Sequence, residues 1–391
     1  MYPRRGHRFK RVLRRLQPRA SDGSVERKRI LVTGAGGLIG SHLCEAFAAA
    51  GWEVRALDRE GTDCAEARAA GAAVVHADLE RPEGALFAAG QARDATLVAH
   101  AAFPGAGEVE AALAGVRAAA AAALSAQAPL LLLSSCAVYG RPRNLPCDEG
   151  ELKAPVDAHG EARWAVEREA FLLRRTRGLR LVVLRPALTY GPRQRRGLAA
   201  ALVVAALAAR AGRGVWLPRR GPVVHLVHAA DVAQAALLLA EHGASELDGK
   251  AFNVADDVPL PMEELARAVL AAAGAREAGR LPYSPAPARL LLWLLRRSPS
   301  WMFWTPLNRR LARSWREAFQ GRPPSPPPRL TPDLLEPLAA DRYFDTQRLR
   351  ALGFAPRFPS AVEGLSRLAL ESRGRGLLPL PRPPAEDVSA A

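Results

Sequence analysis

Residues 29–40 read RILVTGAGGLIG, and this stretch decides the fold. Arg29–Thr33 has the pattern of a buried strand, a glycine-rich turn follows, and Ser41–Ala50 is helix-like. The turn is a G-x-x-G-x-x-G loop at Gly34, Gly37 and Gly40. Gly34 allows the tight turn, Gly37 lets the backbone approach a pyrophosphate at the helix N-terminus, and Gly40 permits close packing of helix on strand. Leu38 and Ile39 complete this cradle. A second strand is expected around Val54–Leu57. Asp58, eighteen residues after Gly40, stands at its end, where a carboxylate can accept hydrogen bonds from both ribose hydroxyls of an NAD adenosine. Asp58 would repel the 2′-phosphate of NADP and the adjacent Arg59 could compensate, so NAD is favoured and NADP is the alternative.

Working outward, short apolar strands recur at Ala73–His76, Thr96–His100, Leu130–Ser134 and Leu179–Leu184, separated by alanine-rich helical stretches. Such alternation predicts an α/β fold, a Rossmann-type doubly wound parallel sheet covered on both faces. Val223–Val227 and Phe252–Val254 read as later strands of the same sheet. The chain has 391 residues, 49% of them hydrophobic, enough for a large core and a second lobe. The expected organisation is a basic disordered tail at 1–27, a dinucleotide-binding domain at 28–190 to which 223–256 and 343–368 return, and a smaller mixed C-terminal substrate lobe from 191–222 and 257–342. Residues 374–391 are expected to be a disordered end.

The formal charge of +16 is not spread over the fold. Residues 1–29 carry a net +9 and residues 289–322 a net +7, which leaves the remaining body neutral. No specific nucleic-acid binding is therefore expected. Four cysteines, Cys44, Cys64, Cys136 and Cys147, lie far apart without a C-x-x-C pair or histidine partners at ligand spacing, so neither a disulfide framework nor a metal site is indicated, and a cytoplasmic setting fits. The longest apolar run, Leu198–Ala209, has twelve residues, short of the roughly 20 needed to span a bilayer.

Beyond TGAGGLIG come HADL (76–79), HAA (100–102), SSCAVYG (134–140), LRPALTYGP (184–192), HLVHAADVAQA (225–235), FNVADD (252–257) and FDTQRLRALGFAP (344–356). With these motifs the chain resembles the extended short-chain dehydrogenases/reductases, the NAD-dependent epimerase/dehydratase family, from residue 28 to about 368. The resemblance implies that Asp78 and Leu79 touch the adenine, that Ala101 and Ala102 line the middle of the cofactor, and that Pro186 also belongs to the cofactor site. It also implies that Ser135 hydrogen-bonds the substrate oxygen undergoing oxidation or reduction. Arg185 and Asp231 resemble residues that hold the fold together, and Tyr139 and Tyr190 resemble structural tyrosines.

The family's Y-G-x-S-K helix motif is where this sequence departs, since the matching residues are His159, Gly160, Glu161, Ala162 and Arg163. In the family the lysine lowers the tyrosine pKa and holds the nicotinamide ribose. Arg163 can still donate to ribose hydroxyls, although its planar fork is not a neutral replacement. Only four of the 55 basic residues are lysine, so a general arginine bias accounts for that change as well. His159 can act as a general acid or base without assistance, its ordinary pKa being about 6.5. The i, i+4 spacing puts both on one helix face. Two readings stay open: an oxidoreductase or epimerase/dehydratase acting on a sugar, sterol-like or lipid-linked alcohol or ketone, with His159 in place of tyrosine, or a catalytically inactive NAD-binding scaffold.

Arg193, Arg195 and Arg196 follow the turn where relatives place diphosphate-binding groups, and no role is assigned to them. His225 and His228 are expected to pack rather than bind metal. Residues 289–322 hold four of the seven tryptophans among eight arginines, a composition that suits a helix pair at a membrane interface or a lid with a solvated basic face. The expected partners are a small-molecule substrate, a second copy in a homodimer, and an anionic membrane surface met through 1–27 and 289–322 at the inner face of a membrane.

Overall fold

A computed structural model describes residues 28–379, apart from 106–107, 195–196, 244–245, 322 and 324–325. In chain order the first elements are β1 (Arg29–Thr33), α1 (Leu38–Ala49), β2 (Glu53–Asp58), α2 (Ala65–Ala69), β3 (Ala73–His76), α3 (Pro82–Ala92), β4 (Leu97–His100), α4 (Val109–Ser125), β5 (Leu130–Leu133), α5 (Ala158–Arg177) and β6 (Leu181–Pro186). Then follow β7 (Leu188–Tyr190), α6 (Leu198–Arg210), β8 (Val215–Pro218), β9 (Val223–Val224), β10 (Leu226–His228), α7 (Ala229–Glu241), β11 (Ala251–Val254), β12 (Leu260–Pro261), α8 (Met262–Ala273), β13 (Glu277–Leu281), α9 (Pro285–Arg297), α10 (Trp304–Ala318), α11 (Gln347–Arg350) and α12 (Ala361–Gly374). The basic tail and residues 380–391 lie outside the described residues.

Strands buried on both faces need apolar side chains at every position, because successive residues point to opposite sides. Ile30 and Val32 enter one core with Leu131, Leu133, Val182 and Leu184, whereas Leu31 enters the other with Leu130, Leu132, Leu181 and Val183. Seven parallel strands result, in the order β11-β6-β5-β4-β1-β2-β3. The strand order reverses between β1 and β4, and a doubly wound sheet opens its ligand crevice at such a switch point, outside the carboxyl ends of the strands.

The later strands differ in part from the sequence reading. Residues 251–254 join the sheet, but Val223–Val227 does not: β9 pairs antiparallel with β12, and β10 pairs with β7. Both edges of β6 are already taken by β5 and β11, so β10 can meet only the extension of that strand beyond Pro186. A second core forms around α6, α8, α10 and α12, with Leu202, Leu265, Trp315 and Leu365 inside it. Order extends past 374, where a disordered end was expected, because Leu378 is buried in this same core.

A polar network lies under the carboxyl ends of β5 and β6. Arg185 and Glu167 are at most 3% exposed and form a two-pronged pair, Nε to Oε1 at 3.0 Å and Nη2 to Oε2 at 2.6 Å. Ser134 Oγ donates to the same Glu167 carboxylate. Arg185 Nη1 donates to the Tyr139 hydroxyl at 2.8 Å, which donates in turn to Asn253 Oδ1 at 2.7 Å. Asp231 accepts from the backbone N–H groups of Arg357 and Phe358, tying α7 to the segment before α12. Arg185 and Asp231 thus hold the fold together, as the resemblance implied. Removing one member of a buried pair leaves the other charge unpaired, so Arg185→Met should cost about 3–5 kcal/mol in denaturant unfolding. A loss under about 1 kcal/mol would contradict this role for the pair.

Candidate active site

The loop between β1 and α1 is built by close backbone approach. Gly34 has a φ of 73°, and a Cβ there would stand 2.4 Å from the Ala102 backbone nitrogen. At Gly40 a Cβ would meet the Gly34 carbonyl oxygen at 2.0 Å, so α1 can pack against the turn only with glycine at that position. The helix begins at Gly37 with no side-chain cap and no acid in its first turn. Its first N–H groups, positive in potential, are left to face an anion.

The site residues read from the sequence lie in strand order along one edge of the sheet. Asp78 and Leu79 follow β3, Asp58 and Arg59 end β2, the Gly34–Gly40 turn follows β1, and Ala101 and Ala102 follow β4. Asp58 accepts from the Gly36 N–H at 2.9 Å through Oδ2 and from the Arg59 N–H at 2.8 Å through Oδ1, which fixes the carboxylate and leaves it lone pairs for hydroxyl donors. The Arg59 guanidinium stands 3.5 Å from Glu80. Asp78 Oδ1 accepts from the Glu80 N–H at 3.1 Å. Beneath this row, Thr33 Oγ1 and His100 Nδ1 lie 2.7 Å apart and bond β1 to β4.

On the β4–β5 side a cleft of about 350 Å³ brings together Ile39, Ser135, His159, Arg163 and Pro186. Ser135 Oγ accepts from the Ala137 N–H at 3.1 Å, so its hydroxyl proton is left to donate into the cleft. Asp157 caps α5 by accepting from the Gly160 N–H at 2.8 Å. A Cβ on Gly160 would stand 2.6 Å from the Ala137 carbonyl oxygen, so this glycine lets the first turn of α5 approach the Ser135 turn. Arg163 donates to the Leu133 carbonyl at 2.7 Å, its guanidinium carbon lies 3.8 Å from the centre of the Phe103 ring, and the His159 ring meets Phe103 edge-on at 5.2 Å. Burial, then the Arg163 charge, lower the His159 pKa to about 4. Burial likewise lowers Arg163 to about 10, which leaves it charged at neutral pH.

Sequence reasoning missed several residues of the site. Phe103, packed on His159 and Arg163, follows the HAA motif directly, and Phe344, which lines the cleft, opens the 344–356 motif, whereas Glu336 and Arg342 reach the cleft from the later chain with no local signal. His225 also lines the cleft, with Nε2 3.3 Å from Asp256, and His228 packs on Phe358 at 4.0 Å. Arg193 turns away to Glu45 at 2.7 Å, while Arg195 and Arg196 lie outside the described residues. Among the described residues no three His, Cys, Asp or Glu side chains come together to hold a metal.

The residues fit NAD by three observations. Helix α1 presents an uncapped N-terminus, the Asp58 carboxylate is held ready at the β2 edge, and the buried Arg163 Nε has no hydrogen-bond partner among the described residues. A ribose hydroxyl would satisfy that last group.

No curated protein matches the chain. Among solved structures, UDP-glucose 4-epimerase from Thermotoga maritima, determined with UDP-glucose, is 20% identical with a TM-score of 0.64, over 89% of this chain and 99% of that one. The Thermus thermophilus UDP-glucose 4-epimerase in complex with NAD is 24% identical, TM-score 0.63, over 88% and 99%. DesIV, a dTDP-glucose 4,6-dehydratase from Streptomyces venezuelae with NAD bound, is 19% identical, TM-score 0.64, over 90% and 98%. These likenesses show the fold. The model of the NAD dependent epimerase/dehydratase family matches residues 30–255, more than half of the chain, and with the glycine cradle, the Asp58 edge and the Ser135 cleft in place, the chain belongs to that family.

Proposed function

We propose that this protein is an NAD-dependent oxidoreductase or epimerase/dehydratase whose acid/base group is His159 and whose substrate is a sugar, sterol-like or lipid-linked alcohol or ketone. The observation that carries this reading is the convergence of Ser135, His159 and Arg163 on one cleft beside the NAD-fitting edge of the sheet. Sugars carried on nucleotides are the first substrates to try, since the structural neighbours include epimerases and dehydratases of UDP- and dTDP-glucose. Bound NAD supplies the acceptor for a hydride leaving the substrate carbon.

Ser135 donates a hydrogen bond to the substrate oxygen and fixes its position. His159, neutral above about pH 4, takes the hydroxyl proton through its unprotonated ring nitrogen. The imidazolium so formed lies beside Arg163 and is a strong acid, ready to return the proton when the carbonyl is reduced again. Arg163 supports the ribose with Nε while Leu133 and Phe103 hold its planar group. Asp58 takes the adenosine ribose hydroxyls, and with Arg59 directed to Glu80 the 2′-phosphate of NADP finds a repelling carboxylate.

His159→Ala should lower kcat about 10²–10⁴-fold with sugar nucleotides while NADH binding stays within about twofold. An inactive wild type that gains turnover only in the His159→Tyr, Arg163→Lys double variant would instead mark a decayed site. In kcat/KM for alcohol oxidation, the acid limb should fall near pH 4, and a limb near the ordinary histidine value of about 6.5 would contradict the buried, Arg163-facing imidazole. Asp58→Asn should weaken NADH about tenfold and narrow its advantage over NADPH in fluorescence titration, whereas unchanged affinities would remove Asp58 from the ribose site.

A further inference from the structure

Helices α9 and α10 leave an aromatic surface outside every core of the molecule. On α9, Leu292 points inward at 3% exposure, and Arg296 lies 2.7 Å from Glu336 in the cleft wall. The other side of the helix presents Leu290, Leu291, Trp293 and Leu294, each about half exposed. The connection to α10 continues this surface with Trp301, Met302 and Phe303, of which Trp301 is 69% exposed. Leu307, one turn beyond Phe303, extends it onto α10. Helix α10 is itself anchored by Leu311 and Trp315 in the second core, so the surface stands on a packed base. Contiguous apolar exposure of this kind marks a contact surface.

The charges around it select the occupant. Arg297, Arg309, Arg310, Arg313 and Arg316 are exposed, and none makes an ion pair among the described residues. Glu317 is the one acid in 289–322. The Arg297 guanidinium lies 4.4 Å from the Trp293 ring centre, which lets cation and ring approach a boundary together. A second copy of this surface would set arginine against arginine. An anionic lipid surface instead takes tryptophan at headgroup depth and guanidinium on phosphate. No helix of the described residues is long and apolar enough to cross a membrane, so the contact lies in the interface plane.

We propose that the α9–α10 pair docks this protein on the headgroup region of an anionic bilayer, with Trp293, Trp301, Met302 and Phe303 inserted and the flanking arginines on lipid phosphates. On its inward side α9 meets the cleft wall only through Arg296 and Glu336, so the docking surface lies one ion pair away from the cleft.

The test is vesicle co-sedimentation of the full chain on phosphatidylcholine alone and with phosphatidylglycerol added, at low and high salt. The wild type should bind the phosphatidylglycerol vesicles at least about tenfold more strongly, and should keep part of that binding when salt screens the basic N-terminal tail. The Trp301→Ser, Met302→Ser, Phe303→Ser triple variant should bind at least about tenfold more weakly and lose its remaining binding in high salt, with an unchanged melting temperature, because all three side chains are exposed. Binding by the triple variant equal to that of the wild type, no binding by the wild type, or a change of oligomeric state in the triple variant on sedimentation would each overturn the proposal.

Discussion

The buried Glu167–Arg185 pair is the constraint around which the active cleft is arranged. Glu167 belongs to the same helix as His159 and Arg163, and its carboxylate is shared between the β6 arginine and Ser134 at the end of β5. One residue further is Ser135, and one residue before is the Leu133 carbonyl that accepts from Arg163. The rotational setting of α5, the turn that carries the cleft-lining Ser135 hydroxyl and the seat of the guanidinium are therefore fixed by one charge pair and its hydrogen bonds. A pair this deep is worth little against an apolar replacement of both partners, but it tolerates no partial removal, and it gives the helix a single register against the sheet.

Within that frame the His159–Arg163 combination follows a different electrostatic logic from tyrosine with lysine. A phenol needs a nearby cation to bring its pKa down towards neutrality, whereas an imidazole is already a base at neutral pH. In this site burial and the guanidinium charge act in the same direction and hold the ring neutral far below its ordinary range. Phe103 connects the two groups, with the cation over its face and the imidazole at its edge.

Much of the fold was legible in the sequence, because each strand–turn–helix unit near the N-terminus is written locally. The strand pattern of β1 and β2, Gly40 against the Gly34 carbonyl, and Asp58 at a strand end all depend on neighbours within one βαβ unit, and only Gly34 also needs the distant Ala102 backbone. The later chain was harder to read. Val223–Val227 carries a strand pattern, yet which edge it can join depends on β11, which occupies β6 from elsewhere in the sequence. The far wall of the cleft was not legible for the same reason: Glu336 and Arg342 become site residues only through the packing of the lobe. Gly160 was visible as a motif residue, but its task of letting α5 approach the Ala137 carbonyl belongs to tertiary contact.

The central claim is that this edge of the sheet holds NAD beside a working cleft. Mass spectrometry of the small molecules released when the purified protein is denatured tests it most directly. The account predicts NAD or NADH in the released fraction, with NADP absent or minor. A protein that releases no dinucleotide and, on titration, takes up neither NADH nor NADPH would contradict it, and would leave the glycine cradle and the Ser135 cleft as parts of a scaffold with another use.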